Sequence, residues 1–162
     1  MENPKRRLSQ STVNFWCWLF PISYIIHIGE EYWGGEGYPA YLLRLRGVYL
    51  STTRFFIAQA TGLILMTVGI LIARRLNFIA DMLVVLGGAV LVNGVTHILT
   101  AFQHGYGPGL ISSIFVWSPL GIATLFLFKG KIRELRYWIA VAFGLGINAA
   151  IAVFTMRGGR IV

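Results

Sequence analysis

The chain has 162 residues, of which 56% are hydrophobic and only 12% are charged, and its mean hydropathy is +0.68. Soluble domains carry about 25% charged residues, so this composition excludes an ordinary soluble domain and indicates an integral membrane protein. The net charge of +8 would also suit a nucleic-acid-binding protein. Here, however, the basic residues lie between apolar segments, where they set orientation and meet lipid head groups, and we expect no nucleic-acid partner.

Five segments of the chain are long and apolar enough to span a bilayer, whose core requires about 20 residues of helix. They lie at 12–32, 55–73, 78–103, 109–128 and 137–156. We therefore predict an all-α integral membrane bundle of about five transmembrane helices, forming a single domain over residues 1–162. The first segment is too long for the apolar region of a signal peptide, and we expect it to be retained. The single cysteine, Cys17, excludes an intramolecular disulfide and is predicted to pack between helices.

The Lys and Arg residues between these segments predict the orientation, because cytoplasmic loops carry the excess of positive charge. With the N-terminus in the cytoplasm, nine of them lie on the inner side, namely Lys5, Arg6, Arg7, Arg74, Arg75, Lys129, Lys131, Arg133 and Arg136. Five lie on the outer side, namely Arg44, Arg46, Arg54, Arg157 and Arg160. We predict a cytoplasmic N-terminus and a multi-pass protein of the cell (plasma) membrane.

The first predicted helix ends in His27-Ile28-Gly29-Glu30-Glu31, directly after an uncharged run over 13–26. Ionisable side chains are expensive in lipid, roughly 2.5–3.5 kcal/mol for Asp, Lys or Arg at a helix centre, which favours a functional reason for them. Residues three and four positions apart neighbour one another on a helix, so His27, Glu30 and Glu31 can face one pocket. Glu30 and Glu31 diverge by about 100° around the helix, which leaves open which of them faces it.

The connection over 33–54 is the longest in the chain. Glycine and proline break the helix at its start, and apolar residues alternate with arginines over 40–46. This pattern suits a segment that lies along the membrane interface or folds back as a lid. A simple linker with interfacial anchors is the alternative interpretation.

The third predicted helix carries a second polar stripe. Asn93 and His97 are four residues apart and therefore share a face, and Thr100 and His104 continue that face if the helix persists. Asp81 lies near the start of the same segment, where a negative charge favours the helix dipole, and we assign it no catalytic role.

A helix-stopping turn, Tyr106-Gly107-Pro108-Gly109, joins the third and fourth segments. Odd-numbered segments run in the same direction, and His27 and His97 each lie roughly 20–25 Å from the start of their own segment. The two polar stripes and the Tyr106 turn therefore share one side and one depth, whichever way the protein is oriented. With the N-terminus inside, that depth is the outer half of the bilayer.

Three motifs thus occur in order along the chain. They are His27-x-x-Glu30-Glu31, Asn93-x-x-x-His97 and Tyr106-x-Pro108-Gly109. Together they resemble the motifs of the HXXEE-domain family of small membrane proteins, and the resemblance spans most of the chain. It implies a polytopic membrane protein that is a candidate enzyme, and it names no reaction.

The residue types in these motifs suit a divalent transition metal, zinc or iron, because imidazole and carboxylate are common ligands of both. The candidate metal ligands are His27, Glu30, Glu31 and His97, with His104 as an alternate at the rim. The candidate catalytic residues are Glu31 as general base towards activated water, Asn93 as an orienting or oxyanion-stabilising amide, and Tyr106 as a proton donor or head-group anchor.

These predictions favour a metal-dependent intramembrane enzyme that acts on a membrane lipid or another hydrophobic small molecule. Hydrolysis is the first hypothesis, and an iron-dependent oxygenase- or desaturase-like reaction is the second. The alternative is a small proton- or cation-coupled transporter or ligand-binding protein that uses the same His/Glu cluster. A third is an accessory subunit that oligomerises, in which the cluster only ties helices together. Two adjacent glutamates suit that purpose poorly, because like charges repel.

Overall fold

The computed structural model describes residues 9–157, with side chains described for residues 9–150. This part of the chain forms six helices: α1 Gln10–Trp33, α2 Tyr38–Arg46, α3 Thr52–Arg75, α4 Ile79–His104, α5 Leu110–Phe128 and α6 Glu134–Arg157. The predicted all-α fold is confirmed for these residues. Several basic residues used to predict the orientation lie outside the described part, namely Lys5, Arg6, Arg7, Arg160 and the side chain of Arg157.

Within the described residues, three helices, α3, α4 and α5, are long and apolar enough to cross a membrane. They coincide with the second, third and fourth predicted segments, and α1 and α6 lie where the first and fifth were predicted. Large apolar side chains such as Phe102, Phe126 and Phe143 are exposed on the outside of the bundle. Helices that are hydrophobic on their outer faces as well as inside are typical of membrane proteins.

Helix α4 lies at the centre of the packing, between α5 and α6. Glycines allow these helices to approach closely, as is usual where membrane helices pack. A Cβ on Gly87 would lie 3.0 Å from the Thr124 side chain of α5, and a Cβ on Gly144 of α6 would overlap the carbonyl group of Val85. Gly146, two residues further along α6, faces open space.

The core away from the polar motifs is apolar. Cys17 and Phe20 of α1 are fully buried there with Leu83 of α4, so the lone cysteine is a packing residue. The indole N–H of Trp16 donates to the Thr124 hydroxyl at 2.7 Å, which links α1 to α5 by a single neutral hydrogen bond.

The 33–54 connection folds back over one end of the bundle, as the lid interpretation predicts. Its helix, α2, begins after Gly37 (φ +76°) and ends at Gly47 (φ +65°), two left-handed conformations that favour glycine. Tyr41 and Leu42 form the buried face of α2. A Cβ on Gly107 would lie 2.8 Å from the Tyr41 ring, so α2 packs directly on the turn between α4 and α5.

Helix α5 contains a π turn near its start, over Ser113–Trp117. The N–H of Ser118 donates to the carbonyl group of Ser113, five residues earlier. Such turns widen a helix locally and are frequent at functional sites. Ser112 and Trp117, which lie immediately before the turn and at its end, both contact α1 at His27.

Candidate functional site

Three of the predicted residues come together at one end of the bundle. His27 and Glu31 of α1 and His97 of α4 each offer one ligand atom, and these atoms lie within 4.8 Å of one another. The Nε2 atoms of His27 and His97 each lie 3.6 Å from Oε1 of Glu31. His27 is 2% exposed and Glu31 is 5% exposed, so these two members are buried, whereas His97 is partly exposed. The structure thus brings one histidine from each predicted polar stripe into contact with Glu31.

His27 is held from two sides by α5. Its Nδ1 atom lies 2.8 Å from the Ser112 hydroxyl, and its ring stacks on Trp117 with centroids 3.6 Å apart. Its other nitrogen, Nε2, is buried and has no hydrogen-bond partner among the described residues. A buried nitrogen without a partner is unusual and calls for an explanation, such as a role in binding a ligand.

Glu31 is oriented by α3. Its Oε2 atom accepts a hydrogen bond from the Gln59 amide at 2.6 Å, and Oε1 of Gln59 accepts one from the Tyr24 hydroxyl at 2.7 Å. Because a tyrosine hydroxyl donates to Gln59, the amide oxygen faces Tyr24 and the amide nitrogen faces Glu31. The remaining oxygen of Glu31, Oε1, faces the two histidines.

Glu30 binds elsewhere, at the start of α5. Its carboxylate accepts hydrogen bonds from the backbone N–H groups of Ile111 at 2.8 Å and Ser112 at 2.6 Å. These are orphan donors of the first helical turn, which a side chain at the N-cap normally satisfies. Gly109 occupies the N-cap and has no side chain, so α1 supplies the acceptor. The predicted ligand Glu30 is therefore not part of the three-residue group.

The conformation and the surroundings of Gly109 explain why the N-cap residue has no side chain. It adopts φ +88°, and a Cβ there would lie 2.8 Å from Cε1 of His97 and 2.9 Å from Cε1 of His27. The same Cβ would lie 3.2 Å from Cγ of Glu31. The backbone of the turn therefore touches all three members of the group, and only glycine fits. Pro108, the preceding residue, is fully buried.

Two tyrosines lie near the group, and only one of them, Tyr106, is among the predicted site residues. Tyr106 is 45% exposed, and its hydroxyl donates to Glu30 at 3.3 Å rather than to the group. Partial burial and then the Glu30 carboxylate raise the pKa of Tyr106. Tyr38 of α2 has its ring centroid 6.5 Å from that of His97. Burial, and then the Glu31 carboxylate, raise the pKa of Tyr38 to about 12, so this phenol stays protonated.

The other predicted residues of α4 lie outside the group. His104 is exposed and lies seven residues, or about 10 Å of helix, beyond His97. Asn93 is half-buried one turn before His97. The Thr100 hydroxyl donates to the carbonyl group of Thr96, in its own helix.

The comparison with known protein families covers most of these residues. A family model described as "Protein of unknown function with HXXEE motif" matches residues 18–124. The chain belongs to this family. No curated protein and no solved structure matches the chain.

In this HXXEE protein the residues of the motif have separate tasks. His27 and Glu31 face His97, whereas Glu30 caps α5. Sequence reasoning missed five further residues around the group: Tyr24, Tyr38, Gln59, Ser112 and Trp117. Gln59 carried a signal, because an amide inside an apolar segment is rare and marks a polar site.

Three observations indicate that the group of His27, Glu31 and His97 fits a divalent transition metal. Two imidazoles and one carboxylate are the protein ligands of many catalytic zinc sites and of the facial triad of non-haem iron enzymes. Nε2 of His27 is a buried nitrogen that forms no hydrogen bond within the part of the chain that the structure describes. Gly109 leaves free the space beside the three ligands that a Cβ would fill. The group could therefore hold a metal ion.

Proposed function

We propose that this chain is a metal-dependent intramembrane enzyme whose substrate is a lipid or another hydrophobic small molecule. The observation that carries the proposal is the largely buried group of His27, Glu31 and His97, in which Nε2 of His27 has no hydrogen-bond partner among the described residues. Hydrolysis is the reaction we favour. Iron-dependent oxidation is the second reaction that this donor set supports.

Each residue then has a distinct task. His27, Glu31 and His97 hold the cation, which when bound supplies a Lewis acid and lowers the pKa of water, for zinc to about 7. The protonated phenol of Tyr38, beside His97, is placed to donate a hydrogen bond to a substrate oxygen. Tyr106 lies half-exposed at the rim, where it suits a polar head group.

The membrane arrangement we propose has five spans, formed by α1, α3, α4, α5 and α6, with the N-terminus in the cytoplasm and the chain in the plasma membrane. It is supported by α1 and α6, whose positions match the first and fifth predicted segments. The metal site then lies in the outer half of the bilayer, beneath α2. The apolar side chains of Leu99 and Phe102, exposed on α4 beyond His97, suit access from the lipid phase.

Elemental analysis of the purified full chain tests the proposal. We expect a near-stoichiometric transition metal in the wild type, and its loss in H97A and E31A. The matched control is H104A, which removes an exposed histidine from the same helix and is expected to retain the metal. Metal-free wild-type protein that stays folded after metal supplementation would contradict the enzyme proposal.

A second candidate function has its own observation. The hydrogen bonds from Tyr24 to Gln59 and from Gln59 to Glu31 form a polar path along the interface of α1 and α3. Such a path inside a membrane bundle suits a small proton- or cation-coupled transporter. Proton-coupled flux in liposomes that is abolished by E31Q, in protein without a stoichiometric metal, would place this function first.

A further inference from the structure

The arginines of the 33–54 connection have no task in the proposed metal chemistry. This connection carries Arg44, Arg46 and Arg54 against a single acidic residue, Glu36. In the proposed five-span arrangement it lies on the outer side of the membrane, where an excess of arginine runs against the usual distribution of charge. Orientation therefore does not account for these residues, and binding of an anionic ligand is an alternative reason.

Arg44 lies beside the turn between α4 and α5. Its Cζ atom lies 5.3 Å from the centroid of the Tyr41 ring, and a Cβ on Gly107 of the turn would lie 2.8 Å from the same ring. Nε and Nη2 of Arg44 both donate to Oε1 of Glu36, at 2.8 and 2.6 Å. The side chain is 53% exposed, and a guanidinium has five N–H donors, so Arg44 can contact a second anion at the surface.

Arg46 brings a second positive charge to α2, and we call Arg44 and Arg46 the lid arginines. Burial raises the pKa of Tyr41, and the charges of both lid arginines oppose this rise. Burial, and then the Glu31 carboxylate, raise the pKa of Tyr38 to about 12, and the charge of Arg46 opposes that rise as well. Tyr38 borders the three-residue group, so positive charge extends from the exposed side of α2 towards the proposed metal site.

The two acidic residues of the motif bind elsewhere. Glu30 accepts hydrogen bonds from backbone N–H groups at the start of α5, and Glu31 faces the two histidines. Glu36 contacts Arg44, so the exposed charged side chains over 34–46 are two positive and one negative. A surface with this balance attracts an anion.

The neighbouring side chains favour a lipid over a soluble anion. Leu43, next to Arg44, is 45% exposed, and Leu99 and Phe102 of α4 are exposed beyond His97. Apolar side chains beside exposed arginines suit a molecule that has acyl chains and an anionic head group. Guanidinium groups bind phosphate through paired, charge-assisted hydrogen bonds. This surface therefore fits the phosphate of a phospholipid.

Building on the proposed metal-dependent function, we propose that the lid arginines bind the phosphate of a phospholipid, which makes the substrate a lipid with a phosphate in its head group. The phosphate lies on the exposed side of α2, and the acyl chains lie along Leu99 and Phe102 of α4. Glu36 weakens the attraction, because its carboxylate lies beside Arg44 and repels the phosphate.

Two lipids with identical acyl chains test the recognition of the phosphate, which phosphatidate carries and diacylglycerol lacks. We expect the purified full chain, titrated in detergent and analysed by native mass spectrometry, to bind phosphatidate about 10-fold more tightly than diacylglycerol. Inorganic phosphate at the same concentrations is expected not to displace phosphatidate, because it has no acyl chains. Equal binding of the two lipids would overturn the inference, and displacement by inorganic phosphate would overturn the choice of a lipid.

Single substitutions test the lid arginines. We expect R44Q and R46Q each to weaken phosphatidate binding about fivefold. The matched control is R75Q, which removes an exposed arginine at the end of α3 that lies away from the lid, and it is expected to leave the affinity unchanged. Unchanged affinity in R44Q, or an equal loss in R75Q, would overturn the inference.

E36Q distinguishes a ligand site from an ion pair that only holds the lid in place. We expect E36Q to strengthen phosphatidate binding, because it removes a negative charge beside Arg44, whereas R44Q weakens it. If the ion pair only holds the lid in place, both variants weaken binding alike. That result would overturn the role of Arg44.

Zinc analysis of the same samples separates this inference from the proposed function. R44Q is expected to keep the metal, and H97A to lose it while still binding phosphatidate. Selective phosphatidate binding by a wild-type protein that holds no metal supports the lid arginines and contradicts the metal-dependent function. A protein that holds zinc but does not distinguish phosphatidate from diacylglycerol keeps the proposed function and overturns the inference.

Discussion

Two places in this bundle join helices through buried polar side chains, and they are built differently. In the apolar half, Trp16 donates to Thr124, and Thr124 donates to the carbonyl group of Leu120 at 2.6 Å, so the tie is neutral and satisfied. At the other end, the group around His27 and Glu31 contains a carboxylate and leaves Nε2 of His27 without a hydrogen bond to any described residue. Helix association needs only the first arrangement. The second needs a further reason, which the proposed cation would supply.

The largest effect is expected for G109A, which alters only the end of the bundle that contains His27, Glu31 and His97. Alanine at φ +88° is strained, and its Cβ would lie within 3 Å of both imidazoles. We expect a loss of about 2–4 kcal/mol in the free energy of unfolding from backbone strain and overpacking together, with loss of zinc binding. Thermal unfolding in detergent and zinc analysis measure the two effects.

The matched control for G109A is G146A. Gly146 is helical, and a Cβ there would meet no other group within 4 Å. Alanine at this position is therefore expected to leave stability and zinc binding unchanged or slightly raise stability. Equal effects of G109A and G146A would contradict the close contact between the turn and the three ligands.

The next effect concerns the charge of Glu31. E31Q keeps an oxygen that can accept from Gln59 but removes the buried negative charge. We expect it to abolish zinc binding and to raise the free energy of unfolding of the metal-free protein by about 1 kcal/mol, because an enclosed carboxylate without a cation is unfavourable. A clear loss of metal-free stability in E31Q would show that the group is a structural tie like Trp16–Thr124.

For the neutral hydrogen bond between Trp16 and Thr124 we expect the opposite result, a loss of stability without a change in zinc affinity. T124V leaves the Trp16 N–H buried without its acceptor, and we expect the free energy of unfolding to fall by about 1 kcal/mol while zinc affinity stays the same. The control is T100V, because the Thr100 hydroxyl donates to a carbonyl group of its own helix, at Thr96. Weaker zinc binding in T124V would mean that the two ends of the bundle are coupled.

The smallest effect is expected for Y106F. The hydroxyl of Tyr106 makes one long hydrogen bond to Glu30 and is half-exposed, so its loss is expected to change the free energy of unfolding by less than about 0.5 kcal/mol. Zinc content is expected to be unchanged. A protein that loses its zinc on this change alone would place Tyr106 at the centre rather than at its rim.

Periodicity and topology were sufficient to predict part of this site. The long apolar segments located the long helices, and the common direction of the first and third segments placed His27 and His97 at one depth. The sequence does not show which of Glu30 and Glu31 faces the histidines, because this depends on where the start of α5 contacts α1. The pattern of residues along the sequence does not predict where two helices contact each other.

The contributions of α5 and α2 could not be predicted for a related reason. Ser112 and Trp117 both reach His27 next to a π turn, whose wider spacing differs from the 3.6-residue period used to assign helix faces. Tyr38 reaches His97 because a connection folds back, and its sequence suits an interfacial segment equally well. His104, by contrast, was predicted because it continues the polar face of His97. It lies about two helical turns beyond His97 and does not reach the group.

The hydrogen bonds of Glu30 also constrain how this protein is made. Its two backbone partners lie 81 and 82 residues later in the chain, so the ribosome releases α1 long before α5 exists. In the proposed five-span arrangement, Glu30 therefore remains without its partners in α5 until the fourth span has been synthesised. The docking of Glu30 on the start of α5 is then a late step in the assembly of the bundle.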